Sequence, residues 1–121
     1  MFFLLSAFAA LAIQTDPAPA GEPSLEEFSA WAEPAIRAKL VEPETATIEW
    51  PYGFEQGEAG PATCGRVNAK NRVGGYPGHA YVFITYKPGS APEFVMDDVM
   101  EPGDVAARCK ESILQGRLKP R

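Results

Sequence analysis

Apolar residues recur at three- and four-residue steps from Leu25 through Phe28, Trp31, Ala32, Ala35 and Ile36 to Leu40, the period of an amphipathic helix. Ser24 and Glu27 stand at capping-box spacing ahead of it, and Glu26 and Glu27 suit the positive end of a helix dipole. Pro34 interrupts the run. The residue before a proline avoids helical backbone angles, so the pattern predicts a helix kinked there or split in two. Glu42-Pro43-Glu44 ends the segment. Trp31 reads as a core anchor rather than a ligand platform.

Beyond this point the period changes. Residues 45–50 carry β-branched side chains alternating with Ala46 and Glu49 and predict a short strand, stopped by Pro51. Residues 52–61, with three glycines and two glutamates around Phe54, read as a loop. In the next strand Val67, Ala69 and Val73 point one way, with Asn71 the odd member, and Arg66, Asn68, Lys70 and Arg72 point the other. Gly74-Gly75-Tyr76-Pro77-Gly78 is a turn. Residues 79–87 return as a strand apolar on both faces, which places it inside an antiparallel sheet. Residues 93–96 can add a shorter fourth strand. A final helix covers residues 102–118, with Val105, Cys109 and Ile113 on one stripe supported by Ala106 and Leu114. The fold class is α+β: an antiparallel three- to four-stranded sheet packed with an N-terminal and a C-terminal helix.

One parity conflict arises. Strict alternation puts Cys64 on the side of Arg66 rather than of Val67. If Cys64 bonds Cys109 beneath the last helix, either a bulge at Gly65 resets the strand, or the helix packs on the cationic face and the basic residues line its rim.

The ends of the chain bear on compartment. Residues 2–11 form an apolar run of signal-peptide length, shorter than the roughly 20 residues of a spanning helix, and Ala10 and Ala12 suit a peptidase. We read residues 1–12 as a signal peptide, 13–23 as a flexible Pro/Ala leader, and 24–121 as a single α+β domain with no transmembrane span in the mature chain. Export to the periplasm or the medium gives the only two cysteines, Cys64 and Cys109, a simple reading as one disulfide; two free thiols or half of a metal site are the alternatives. With His79 the sole histidine, no metal site and no cofactor is expected.

Charge narrows the candidate chemistry. The formal net charge is −5, yet residues 59–92 hold four bases and no acid. An acidic body argues against nucleic acid as a partner, although residues 78–84 partly resemble the aromatic strand of RNA-recognition modules. The glycine turn lacks the spacing and following helix of a phosphate loop, and no serine sits in a nucleophile turn near His79. No catalytic residue is singled out. The carboxylates of residues 52–61, or Asp97 and Asp98, are the fallback for a small hydrolase, and Asp97, Asp98 and Glu101 lack the grammar of a calcium loop. The candidate binding residues are Arg66, Asn68, Lys70, Asn71, Arg72 and Tyr76. They suit an anionic envelope component or an acidic protein surface.

The run C-G-R-V-N-A-K-N-R-V-G-G-Y-P-G, from Cys64 to Gly78, resembles a family of short, exported proteobacterial and phage-associated proteins with a C-G-x-V-N-[AG]-K-N-x-x-G-G-Y-x-G core. L-V-E-P-E-T-A-T-I, from Leu40 to Ile48, is similar to the same family's L-x-D-P-x-S-A-x-F stretch, with Glu42, Thr45 and Ile48 departing from it. The resemblance covers about a fifth of the chain. It implies a bacterial envelope or secreted protein and no known activity; a functional part of its motif would fall on Asn68, Lys70, Asn71 and Tyr76.

Overall fold

A computed structural model of the chain describes residues 21–69, 79–97 and 103–121. Its elements are α1 (Leu25–Arg37), β1 (Thr47–Glu49), β2 (Glu55–Gly57), β3 (Gly60–Asn68), β4 (His79–Thr85), β5 (Phe94–Met96) and α2 (Asp104–Leu114). The signal-peptide reading and Lys70, Asn71, Arg72 and Tyr76 lie outside the described residues.

The capping box forms as the spacing requires. The Glu27 amide donates to Ser24 Oγ at 3.1 Å, and the Ser24 amide donates to Glu27 Oε1 at 3.2 Å. Of the kink or split expected at Pro34, the split does not occur; one helix runs through it to Arg37. Pro34 lies in the last turn; it removes one bond, the one its N–H would have given to the Ala30 carbonyl, and the helix ends three residues later. The helix therefore ends before Glu42-Pro43-Glu44, and Pro43–Thr45 forms a separate 3-10 turn.

The strands make one five-stranded antiparallel sheet in the order β1-β3-β4-β5, with β2 also on β3. It has one strand more than the sequence pattern gives. Much of the predicted 52–61 loop is a hairpin: Glu55 pairs with Ala62 and Gly57 with Gly60. Gly60 takes a φ of +135°, a conformation that favours glycine. Strand β4 is interior, as its two apolar faces require.

Both sheet faces are covered. On one, Phe28, Ala32 and Ile36 of α1 join Val67, Val82, Ile84 and Trp50. On the other, Cys109 of α2 joins Cys64 and Leu118, with Tyr81 and Phe83 packed against them. Cys64 and Cys109 are bonded, their Cα atoms 6.0 Å apart. This resolves the parity conflict. The β3–β4 register runs unbroken from Ala62↔Thr85 to Asn68↔His79, so there is no bulge at Gly65; α2 packs on the face that carries Arg66.

Gly65 has a different task. A Cβ there would stand 2.6 Å from Cε3 and Cζ3 of Trp50 and 3.0 Å from the Glu49 carbonyl oxygen. The absent side chain lets the indole lie on the strand while its Nε1 donates to Glu33 Oε2 at 3.0 Å. Gly65→Ala is expected to cost about 1–3 kcal/mol by overpacking, measurable by urea denaturation with Trp fluorescence as the probe.

The last helix is shorter than predicted, ending at Leu114, and that residue is 86% exposed rather than part of the apolar stripe. Ser112 takes the buried place, its Oγ accepting from Arg117 Nη2 at 3.0 Å.

Candidate functional site

Strand pairing determines which polar side chains share a face. Directly paired residues project to the same side, so Glu49, Arg66 and Tyr81 form one row and Thr47, Asn68 and His79 the next, on the face that carries α2. The disulfide anchors α2 beside them, over Cys64 and Phe83. The six residues thus form a polar extension of that face at the far ends of β1, β3 and β4.

Glu49 organises the first row. Its Oε1 lies 3.5 Å from Arg66 Nη2 and 3.5 Å from His79 Nε2. Arg66 is 36% exposed at its side chain and Glu49 50%, so the pair contributes little to stability. Arg66 Nε and Asn68 Oδ1 are buried and have no hydrogen-bond partner among the described residues. One is a donor and the other an acceptor, two positions apart on β3. A buried polar atom without a partner costs roughly 1–3 kcal/mol.

Of the sequence-predicted face, the structure brings Arg66 and Asn68 together. Glu49, Thr47, His79 and Tyr81 are additions that periodicity within one strand does not reveal.

Two of the fallback carboxylates, Glu55 and Asp97, hold structural positions, while Glu58 is exposed. Glu55 is buried, its Oε2 accepting from Arg117 Nε at 3.2 Å with Arg108 Nη2 at 3.8 Å. The Arg108 guanidinium stacks 4.7 Å from the Phe83 ring centre. Asp97 caps α2 from a distance: Val105 and Ala106 amides donate to its Oδ1 and Oδ2 at 3.2 and 2.7 Å. Gly103, at the cap position, makes no side-chain hydrogen bond there. Partial burial pushes the Asp97 carboxyl up, but backbone N–H groups of Gly103, Ala106 and Val105 outweigh it and hold it below its ordinary 3.8. A folded value below the unfolded one gives stability that is complete above the unfolded value and is lost as pH falls through the folded one. Asp97→Ala is therefore expected to cost about 0.5–2 kcal/mol at neutral pH. Urea titrations of wild type and variant should converge in strong acid. Asp98 and Glu101 lie outside the described residues.

Among the described residues no group of three or more His, Cys, Asp or Glu is placed to hold a metal ion. No helix among them is long and apolar enough to cross a membrane.

Fold and site together define a small α+β domain with one disulfide and a polar end to the face that the disulfide braces. Compared with protein-family models, curated proteins and solved structures, the chain matches none of them.

Proposed function

We propose that the chain is an exported, non-enzymatic binding module of the bacterial envelope or the extracellular medium, with the polar end of the β3–β4 face as its contact surface. The observation that carries this reading is the solvent-facing polar cluster of Arg66, Glu49 and His79 on the sheet face that the disulfide and α2 brace. In the sequence, Lys70, Asn71 and Arg72 follow directly and Tyr76 lies in the glycine turn, so positive charge continues beyond Asn68. Such a surface suits an anionic envelope component or an acidic protein patch.

Export is supported by the apolar N-terminal run and by the disulfide, which persists in oxidising compartments. The resemblance of residues 64–78 to small exported proteobacterial and phage-associated proteins points the same way.

The test is a crosslinking pull-down from the envelope with wild type and the double variant Lys70→Glu, Arg72→Glu. The expected result is at least one component captured by wild type and lost from the variant. Identical partner lists would count against the surface.

A further inference from the structure

We infer that the outer edge of β5 is a second contact surface, which takes an extended segment of another protein as an added antiparallel strand with one apolar and one acidic side chain in alternate positions. It lies at the opposite edge of the sheet from β1 and goes beyond the Arg66 face. β5 pairs with β4 through Val82↔Met96, Phe83↔Val95 and Ile84↔Phe94. The next pair along is a hydrogen-bonded one: the Asp97 amide donates to the Tyr81 carbonyl at 3.1 Å. Hydrogen-bonded and non-hydrogen-bonded pairs alternate along an antiparallel ladder. The N–H and C=O of Val95 therefore point at β4, and those of Phe94 and Met96 point away from the sheet. No described residue pairs with them. Such a row of donors and acceptors is a template for another strand.

An open groove adjoins that edge, lined by Lys39, Pro92, Glu93, Phe94 and Met96. Phe94 and Met96 pack against the cluster under α1, so the groove is on the α1 face. Trp31 Nε1 donates to the Ser90 carbonyl at 2.9 Å and ties the segment ahead of β5 to that helix. Cross-strand partners share a face. Side chains opposite Phe94 and Met96 therefore enter the groove, and the one between them lies beside exposed Val95 on the other face. Pro92, Phe94 and Met96 offer an apolar wall to one of the pair. Lys39 is exposed and has no ion pair among the described residues, so it selects an acid for the other. Glu93 shares the rim and repels an acid placed beside it, which restricts the acidic side chain to the Lys39 side. A second copy fits less well: pairing β5 with β5 about Val95 would set Glu93 opposite Asp97, and like charges directly opposite are destabilising.

The test uses the ¹⁵N-labelled protein in NMR titrations with the end-blocked pentapeptides Thr-Val-Thr-Glu-Thr and Thr-Glu-Thr-Val-Thr, the two orders in which the pair can enter the groove. In the free protein the Phe94 and Met96 amides are expected to exchange with solvent faster than the Val95 amide, and peptide should slow them. N-methylation at Val or Glu removes an N–H aimed at β5 and should weaken binding about tenfold, the scale of one backbone hydrogen bond. N-methylation at the central Thr, whose N–H points away, should leave binding unchanged. Lys39→Glu, at an exposed position, should weaken the peptide by about fivefold and strengthen one with Lys in place of Glu by a similar factor, the scale of an exposed ion pair. The same spectra report that the fold is retained. Phe94 and Met96 amides already protected in the free protein, shifts confined to other residues, equal effects of N-methylation at every position, no reversal at Lys39, or no binding overturns the inference. Shifts of the same amides with protein concentration alone would assign the edge to a second copy and overturn it as well. The Lys70→Glu, Arg72→Glu pull-down reads the other face, so either surface can fail while the other stands.

Discussion

Reducing the Cys64–Cys109 bond is expected to lower the unfolding free energy by about 4 kcal/mol, the loop-entropy figure for a closure of this length. The bond spans 45 positions and joins the middle of β3 to the middle of α2, so its loss frees the unfolded chain over more than a third of its length. Both sulfurs are fully buried in the smaller core cluster, with Leu118. That cluster holds few large side chains, and a small core leans more on a cross-link. After reduction α2 is still docked by Arg108 on Glu55 and the Phe83 ring, the Glu55–Arg117 pair, the Asp97 cap, and the packing of Val105, Ile113 and Leu118. Urea denaturation with and without reductant, and of a Cys64→Ala, Cys109→Ala variant, measures the effect. A difference below about 1 kcal/mol, the low end of the range for disulfides, would mean that those contacts hold α2 alone.

Phe28→Ala should cost about 3–5 kcal/mol, the range for a large aromatic removed from a core. Phe28 is fully buried, and four rings surround it: Trp50 at 4.7 Å and Phe54 at 5.1 Å edge-on, Trp31 at 5.9 Å and Tyr86 at 6.1 Å tilted. These rings come from α1, the segments flanking β1 and β2, and the end of β4, so one cavity loosens every element on that face. Edge-to-face geometry adds to area burial. The matched control is Leu25→Ala on the same helix; its side chain is 41% exposed and its removal should stay within about 0.5 kcal/mol. Thermal unfolding followed by near-UV circular dichroism separates the two.

Where local chemistry alone decides the structure, the sequence is readable. Ser24 and Glu27 cap α1, the apolar faces of 79–85 make an interior strand, and the cysteines pair. Interactions that depend on register or on distant chain are not readable in this way. A bulge at Gly65 is one of the two ways the sequence leaves to seat Cys64, but it is the approach of the Trp50 indole that requires a glycine there. Asp97 reads as a spare acid because the helix it caps begins seven residues later. Glu55 reads as a loop carboxylate because its partners, Arg108 and Arg117, lie more than fifty residues away. Leu114 fits the helical period, yet the helix ends there and leaves it in solvent. In the candidate site, alternation along β3 picked out Arg66 and Asn68. Glu49, Thr47, His79 and Tyr81 join them only through cross-strand pairing. The parity of Cys64 offers α2 on the Arg66 face as one of two outcomes, and the unbroken register selects it.

The proposed contact surface is the polar end of the Arg66 face. Its most direct test is site-specific photocrosslinking in the envelope, with the reactive side chain at exposed Thr47, in the row of Asn68 and His79, or at exposed Leu114 at the end of α2. A discrete adduct is expected from position 47 and none from position 114. Adducts from position 114 alone, or equally from both, would contradict it.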